Sequence, residues 1–125
     1  MAEENPITPA SGAINLEYIK EISRENQSDA RDLISGALNQ LKDYMKKMEG
    51  YVAEENLEQL SFITHKLRSS VRIIGATGFQ YKLTDMEKAC NERKPTIPAL
   101  FKEAQQIATE IIKELERELG DSSNT

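Results

Sequence analysis

The stretch Leu60-Ser61-Phe62-Ile63-Thr64-His65-Lys66-Leu67-Arg68-Ser69-Ser70-Val71-Arg72-Ile73-Ile74-Gly75-Ala76 decides the reading of this chain. Its apolar residues recur at helical spacing, and its polar residues fill the intervals. Each helical residue advances about 100° around the axis. With His65 as origin, Leu60, Ile63, Leu67, Ser70 and Ile74 fall within roughly 40° of the opposite side, and Val71 lies at the edge of that stripe. Glu58, Ser61, Arg68, Ser69, Arg72 and Ala76 share the histidine side. Phe62 and Ile73 stand at one margin, where they either complete the core or form an apolar rim for a partner.

The rest of the chain continues the helical pattern. Residues 1–13 hold two prolines, Gly12 and several small residues, and read as a flexible segment or linker. Asn15 is placed to cap a short helix over about residues 15–24, with Leu16, Ile19 and Ile22 on one side. Ser28 is expected to open a long helix to about residue 49 or slightly beyond, with Gly50 marking its weak point or end. Asn56 is placed to cap the histidine helix, over about 56–76, with Gly75 and Gly78 bracketing its end. A helix over about 78–92 carries Phe79, Leu83, Met86 and Cys90. After Pro95, a last helix runs from Thr96 or Ile97 to about 119, striped by Leu100, Ile107, Ile111, Leu115 and Leu119. Gly120 is expected to end it, leaving 121–125 as a polar tail.

No segment alternates with period two, so no strand is expected. Long helices joined by short connections favour antiparallel neighbours. The expected fold is all-α: an antiparallel four-helix bundle over residues 14–120, with a short additional helix at its N-terminal end.

Composition narrows the function classes. The chain has 125 residues, one domain's worth, with 38% hydrophobic and 30% charged residues. A net charge of −5 lacks the basic stripe that nucleic-acid binding needs. No apolar run approaches the ~20 residues that cross a bilayer. The acidic start Met1-Ala2-Glu3-Glu4 has neither the positive charge nor the apolar run of a signal peptide. With a single cysteine, Cys90, no disulfide can form within the chain, which fits a reducing compartment. A cytoplasmic, monomeric protein without membrane contact is expected. Cys90 lies on an apolar stripe and reads as core.

His65 is the only histidine. Imidazole is the side chain whose unperturbed pKa lies nearest neutrality, so much of it is a neutral nucleophile at pH 7. Exposed on a helix with cations nearby, it can attack phosphorus. Arg68, one turn on, and Arg72, two turns on, can balance phosphoryl charge. Ser69 is small and leaves space for an approaching partner. Its hydroxyl can donate to a phosphate oxygen or bond back to the helix. From helical position alone, a lone histidine on a wet face is more often an ordinary surface residue. One histidine and no Glu-x-x-His pair disfavour a metal centre.

The motif His65-x-Leu67-Arg68-Ser69-Ser70, followed by Gly75-Ala76, resembles the histidine-containing phosphotransfer (HPt) domain of multistep phosphorelays. The helix order matches from about residue 15 to 119, nearly the whole chain. Two positions depart: the family usually has lysine where Arg68 stands and glycine where Ser69 stands. The resemblance implies that His65 takes a phosphoryl group from a receiver-domain aspartate and passes it to another. It implies response-regulator receivers as partners, including those of hybrid sensor histidine kinases. Mg²⁺ would sit on the receiver, and this chain would need no cofactor. Phe62, Ile73 and Ser69 would shape access and docking. The chain carries no P-loop and no glycine-rich ATP-lid box, so it is expected to be a carrier rather than a kinase. The alternative is a helical adaptor, or a degenerate HPt domain that binds a receiver without carrying phosphate.

Overall fold

The structure, a computed structural model, describes residues 14–24 and 26–123. The expected flexible segment 1–13 and the last two residues lie outside it. The described residues form helices joined by short connections, with no strand: α1 (Glu17–Ile22), α2 (Gln27–Glu54), α3 (Leu57–Ser70), a 3₁₀ turn (Val71–Ile74), α4 (Thr77–Asn91) and α5 (Ile97–Ser123). No helix among them is long and apolar enough to cross a membrane.

Local chemistry sets most boundaries, with corrections to the expected ones. The cap of α2 is Asn26 rather than Ser28: its backbone is extended (φ −151°), and its Oδ1 accepts from the Ser28 N–H at 3.1 Å and the Ser28 hydroxyl at 2.9 Å. Gly50 does not end α2. The helix passes through it to Glu54 because Tyr51 and Val52 still pack on the core, which outweighs the ~1 kcal/mol that a mid-helix glycine costs. Termination comes at Glu55 in the left-handed region (φ 56°), where the Asn56 N–H reaches the Tyr51 carbonyl at 2.9 Å. Asn56 caps α3 as expected, its Oδ1 accepting from the Gln59 N–H at 3.3 Å. Gly120 likewise lies inside α5, which continues to Ser123. Leu119 beside it packs on the core, and its carbonyl accepts from Arg31 Nη1 at 3.1 Å.

Four helices pack in a closed circuit: α2 against α3, α3 against α4, α4 against α5, and α5 against α2. The seam between α3 and α4 is the most extensive. Leu41, Met48, Leu60, Leu67, Phe79, Leu83, Met86, Ile111 and Leu115 are fully enclosed. Burying each such side chain contributes about 1.5–3 kcal/mol relative to exposure. The exposed ion pairs Lys42–Glu116, between α2 and α5, and Arg93–Glu58, between the α4–α5 connection and α3, both at 3.0 Å, add little.

The end of the histidine helix differs from the simple wheel. α3 stops at Ser70, and Val71–Ile74 tighten into 3₁₀ geometry. Val71, expected at the stripe's edge, is fully buried; Ser70, expected in the stripe, is half-buried and donates to the Lys66 carbonyl at 3.2 Å. Ala76, expected on the histidine side, is fully buried, because Gly75 (φ 65°) turns the chain inward before it. Gly78 brackets nothing: it lies in the first turn of α4. Thr64 is also fully enclosed, and its hydroxyl has no hydrogen-bond partner among the described residues.

Gly75 also seats α1. A Cβ there would strike the Asn15 carbonyl oxygen and come within 2.7 Å of its Cβ. Asn15 lies against it because its N–H donates to the Ile74 carbonyl at 2.8 Å, while its Oδ1 accepts from the Glu17 N–H at 2.9 Å. Leu16 and Ile19 are buried there, but Ile22 faces solvent.

Two stability measurements follow. Gly75→Ala meets both the left-handed backbone and Asn15, so urea denaturation should show a loss of more than about 1 kcal/mol. Thr64→Val removes an unpaired buried hydroxyl at nearly constant volume, and should raise stability by roughly 1 kcal/mol.

Candidate functional site

His65 lies on α3, facing α4, with its side chain 57% exposed. Its Nδ1 is 3.1 Å from Oε2 of Glu87 on α4. The other carboxylate oxygen, Glu87 Oε1, is enclosed and lies 3.0 Å from Nη1 of Arg68. That contact is an ion pair without hydrogen-bond geometry; the same nitrogen donates to the Thr84 hydroxyl at 3.2 Å, which donates in turn to the Gln80 carbonyl at 2.9 Å. Gln80 Nε2 closes the loop by donating to the Arg68 carbonyl at 3.4 Å. One face of α4 therefore grips both the imidazole and the guanidinium of α3.

The partners at Nδ1 select a tautomer. A carboxylate only accepts, so the Glu87 contact is a hydrogen bond when Nδ1 carries the proton. Arg68 Nη2 also lies 3.3 Å from Nδ1, but a guanidinium only donates and would need a lone pair there. The Glu87 contact is shorter and aims an N–H at a carboxylate, so it prevails. In the neutral ring this assigns the proton to Nδ1 and the lone pair to Nε2. Among the described residues Nε2 has no partner. The exposed imidazole is thus held at one nitrogen and open for attack at the other.

The remaining expected site residues divide. Arg68 joins His65, but through a guanidinium already engaged by Glu87 and Thr84. Arg72 is exposed and makes no contact with this cluster. It lies in the 3₁₀ turn, two turns beyond His65 and about 10 Å further along the axis, so sharing a side with the histidine does not bring the two together. Ser69 is exposed, and its hydroxyl has no hydrogen bond among the described residues. Phe62 is 59% exposed, with Lys66 Nζ 5.2 Å from its ring centre. Ile73 is half-buried and packs against the core, lining a shallow groove with Leu33, Gly36 and Ala37 of α2. No group of metal-ligating side chains occurs among the described residues. Burial pushes the Cys90 thiol up, and the Glu87 charge adds to that, so it stays protonated in the core.

Sequence reasoning missed Glu87, Thr84 and Gln80. Their signal is a row of polar residues at helical spacing along the flank of the α4 apolar stripe. That row looks like an ordinary solvated edge until the partner helix is known. Comparison of the chain with family models, with curated proteins and with solved structures found no match.

The Glu87 grip has a direct spectroscopic readout. Long-range ¹H–¹⁵N correlation of the neutral His65 ring should show Nδ1–H predominating in the wild type. Glu87→Ala should shift the pattern toward Nε2–H, and an unchanged pattern would contradict the assignment.

Proposed function

We propose that this chain is an HPt domain, an antiparallel four-helix bundle with a short N-terminal helix, which shuttles phosphoryl groups between receiver-domain aspartates. The observation that carries the reading is the held imidazole: Nδ1 against Glu87 at 3.1 Å on a side chain 57% exposed, with no partner at Nε2 among the described residues. The motif around His65 and the helix order support it.

The chemistry follows from that arrangement. Nε2 attacks the phosphorus of an aspartyl phosphate on the receiver. The Nε2–P bond forms as the P–O bond to the aspartate breaks, and the carboxylate leaves with the electron pair. The ring gains positive charge, which Glu87 balances through the Nδ1 proton. Hand-off to a second receiver runs the same steps backwards. Mg²⁺ and the acidic pocket belong to the receiver, so this chain needs no metal of its own. Arg68 holds Glu87 in place and adds positive charge near the incoming group. Phe62 and Ser69 flank His65 as docking surface, while Ile73 and Arg72 take a lesser part. In this reading the protein is a cytoplasmic monomer that carries phosphate without a kinase activity.

Incubation with a receiver domain phosphorylated by acetyl phosphate tests this. Intact-mass analysis should show one added, acid-labile phosphoryl group, absent from His65→Gln. If no receiver of the same organism transfers, while one binds wild type and His65→Gln equally, the protein is an adaptor instead.

A further inference from the structure

We propose that the Ser69 hydroxyl donates a hydrogen bond to the phosphoryl group on His65, and so sets how strongly this chain retains phosphate relative to its receivers. The inference rests on the phosphotransfer reading above and adds a residue that tunes its equilibrium.

Three observations lead to Ser69. First, Arg68 is committed. Its Nη1 lies 3.0 Å from the enclosed Glu87 Oε1 and 3.2 Å from the Thr84 hydroxyl. Turning the guanidinium onto a phosphoryl group would take the cation away from that enclosed carboxylate oxygen, which has no hydrogen-bond partner among the described residues. Second, Ser69 is uncommitted. Ser70, Thr84 and Thr109 each donate back to a carbonyl one turn earlier, at Lys66, Gln80 and Gln105. Ser69 makes no such bond to the His65 carbonyl, and it is exposed. Third, the position is right. Residues four apart on an α-helix have Cβ atoms about 6 Å apart, and helical side chains lean toward the N-terminus. Ser69 therefore leans toward His65. Nδ1 of the ring faces Arg68 Nη2 at 3.3 Å and Glu87 of α4 at 3.1 Å, and Ser69 stands about 100° round the helix axis from Arg68, on the other flank of His65.

A hydroxyl donating to a phosphoryl oxygen stabilises the phosphorylated state by a charge-assisted hydrogen bond. That changes the equilibrium constant for transfer. A residue that merely shapes docking changes the rates in both directions and leaves the equilibrium constant of the separated proteins untouched. The two roles are thus separable by one quantity.

The experiment mixes the phosphorylated chain with a receiver domain and measures the final division of phosphate between His65 and the receiver aspartate. Wild type, Ser69→Ala and Ser69→Thr are compared. Ser69→Ala should shift the division toward the receiver by about three- to tenfold, the value of one modest hydrogen bond, and Ser69→Thr should restore it. An equal division for wild type and Ser69→Ala overturns the inference, whatever happens to the transfer rates. So does a shift that Ser69→Thr fails to restore. If wild type accepts no phosphoryl group at all, the underlying phosphotransfer reading fails, which is a distinct result.

Discussion

The contact on which the candidate site depends joins Glu87 of α4 to His65 and Arg68 of α3. One carboxylate meets a ring nitrogen with one oxygen and a guanidinium with the other. Neither contact survives if the two helices slide or separate. The apolar seam between α3 and α4, the most extensive in the molecule, supplies that rigidity. Leu60 and Leu67 of α3, with Leu83 and Met86 of α4, are fully buried within the shared core. Polar groups mounted on two packed helices are held more closely than groups on loops.

The same arrangement explains why an imidazole with more than half its side chain in solvent can have a defined chemistry. Free imidazole places its proton on either nitrogen. Here the choice is made by a carboxylate that is itself mostly buried and paired with Arg68, whose guanidinium donates to Thr84 and whose backbone carbonyl accepts from Gln80. The network is directional: α4 positions Arg68, Arg68 positions Glu87, and Glu87 fixes the proton of His65. In the neutral ring this leaves the lone pair on Nε2, which has no partner among the described residues.

The sequence was informative where one helix's own periodicity decides the outcome. The helical segments, the Asn56 cap, the left-handed Gly75 and the exposure of His65 all follow from residues near each other in the chain. It was less informative where packing overrides propensity. Gly50 and Gly120 look like stops, but both helices run on because the neighbouring Tyr51, Val52 and Leu119 have core to cover. The left-handed Gly75 turns Ala76 inside, and Arg72, about 10 Å along the axis from His65, stays out of the histidine cluster. Glu87 was illegible for a related reason. It sits 22 positions from His65, and nothing local distinguishes it from other acidic residues on helix flanks.

The central claim is that Glu87 holds Nδ1 and leaves Nε2 as the reacting atom. The most direct measurement is ¹H–¹⁵N and ³¹P correlation spectroscopy of the chain after phosphorylation by a receiver domain, which identifies the nitrogen bonded to phosphorus. Phosphorus on Nε2, with the proton retained on Nδ1, is the predicted result. Phosphorus on Nδ1 would mean that the Glu87 contact breaks before transfer, and would contradict the account.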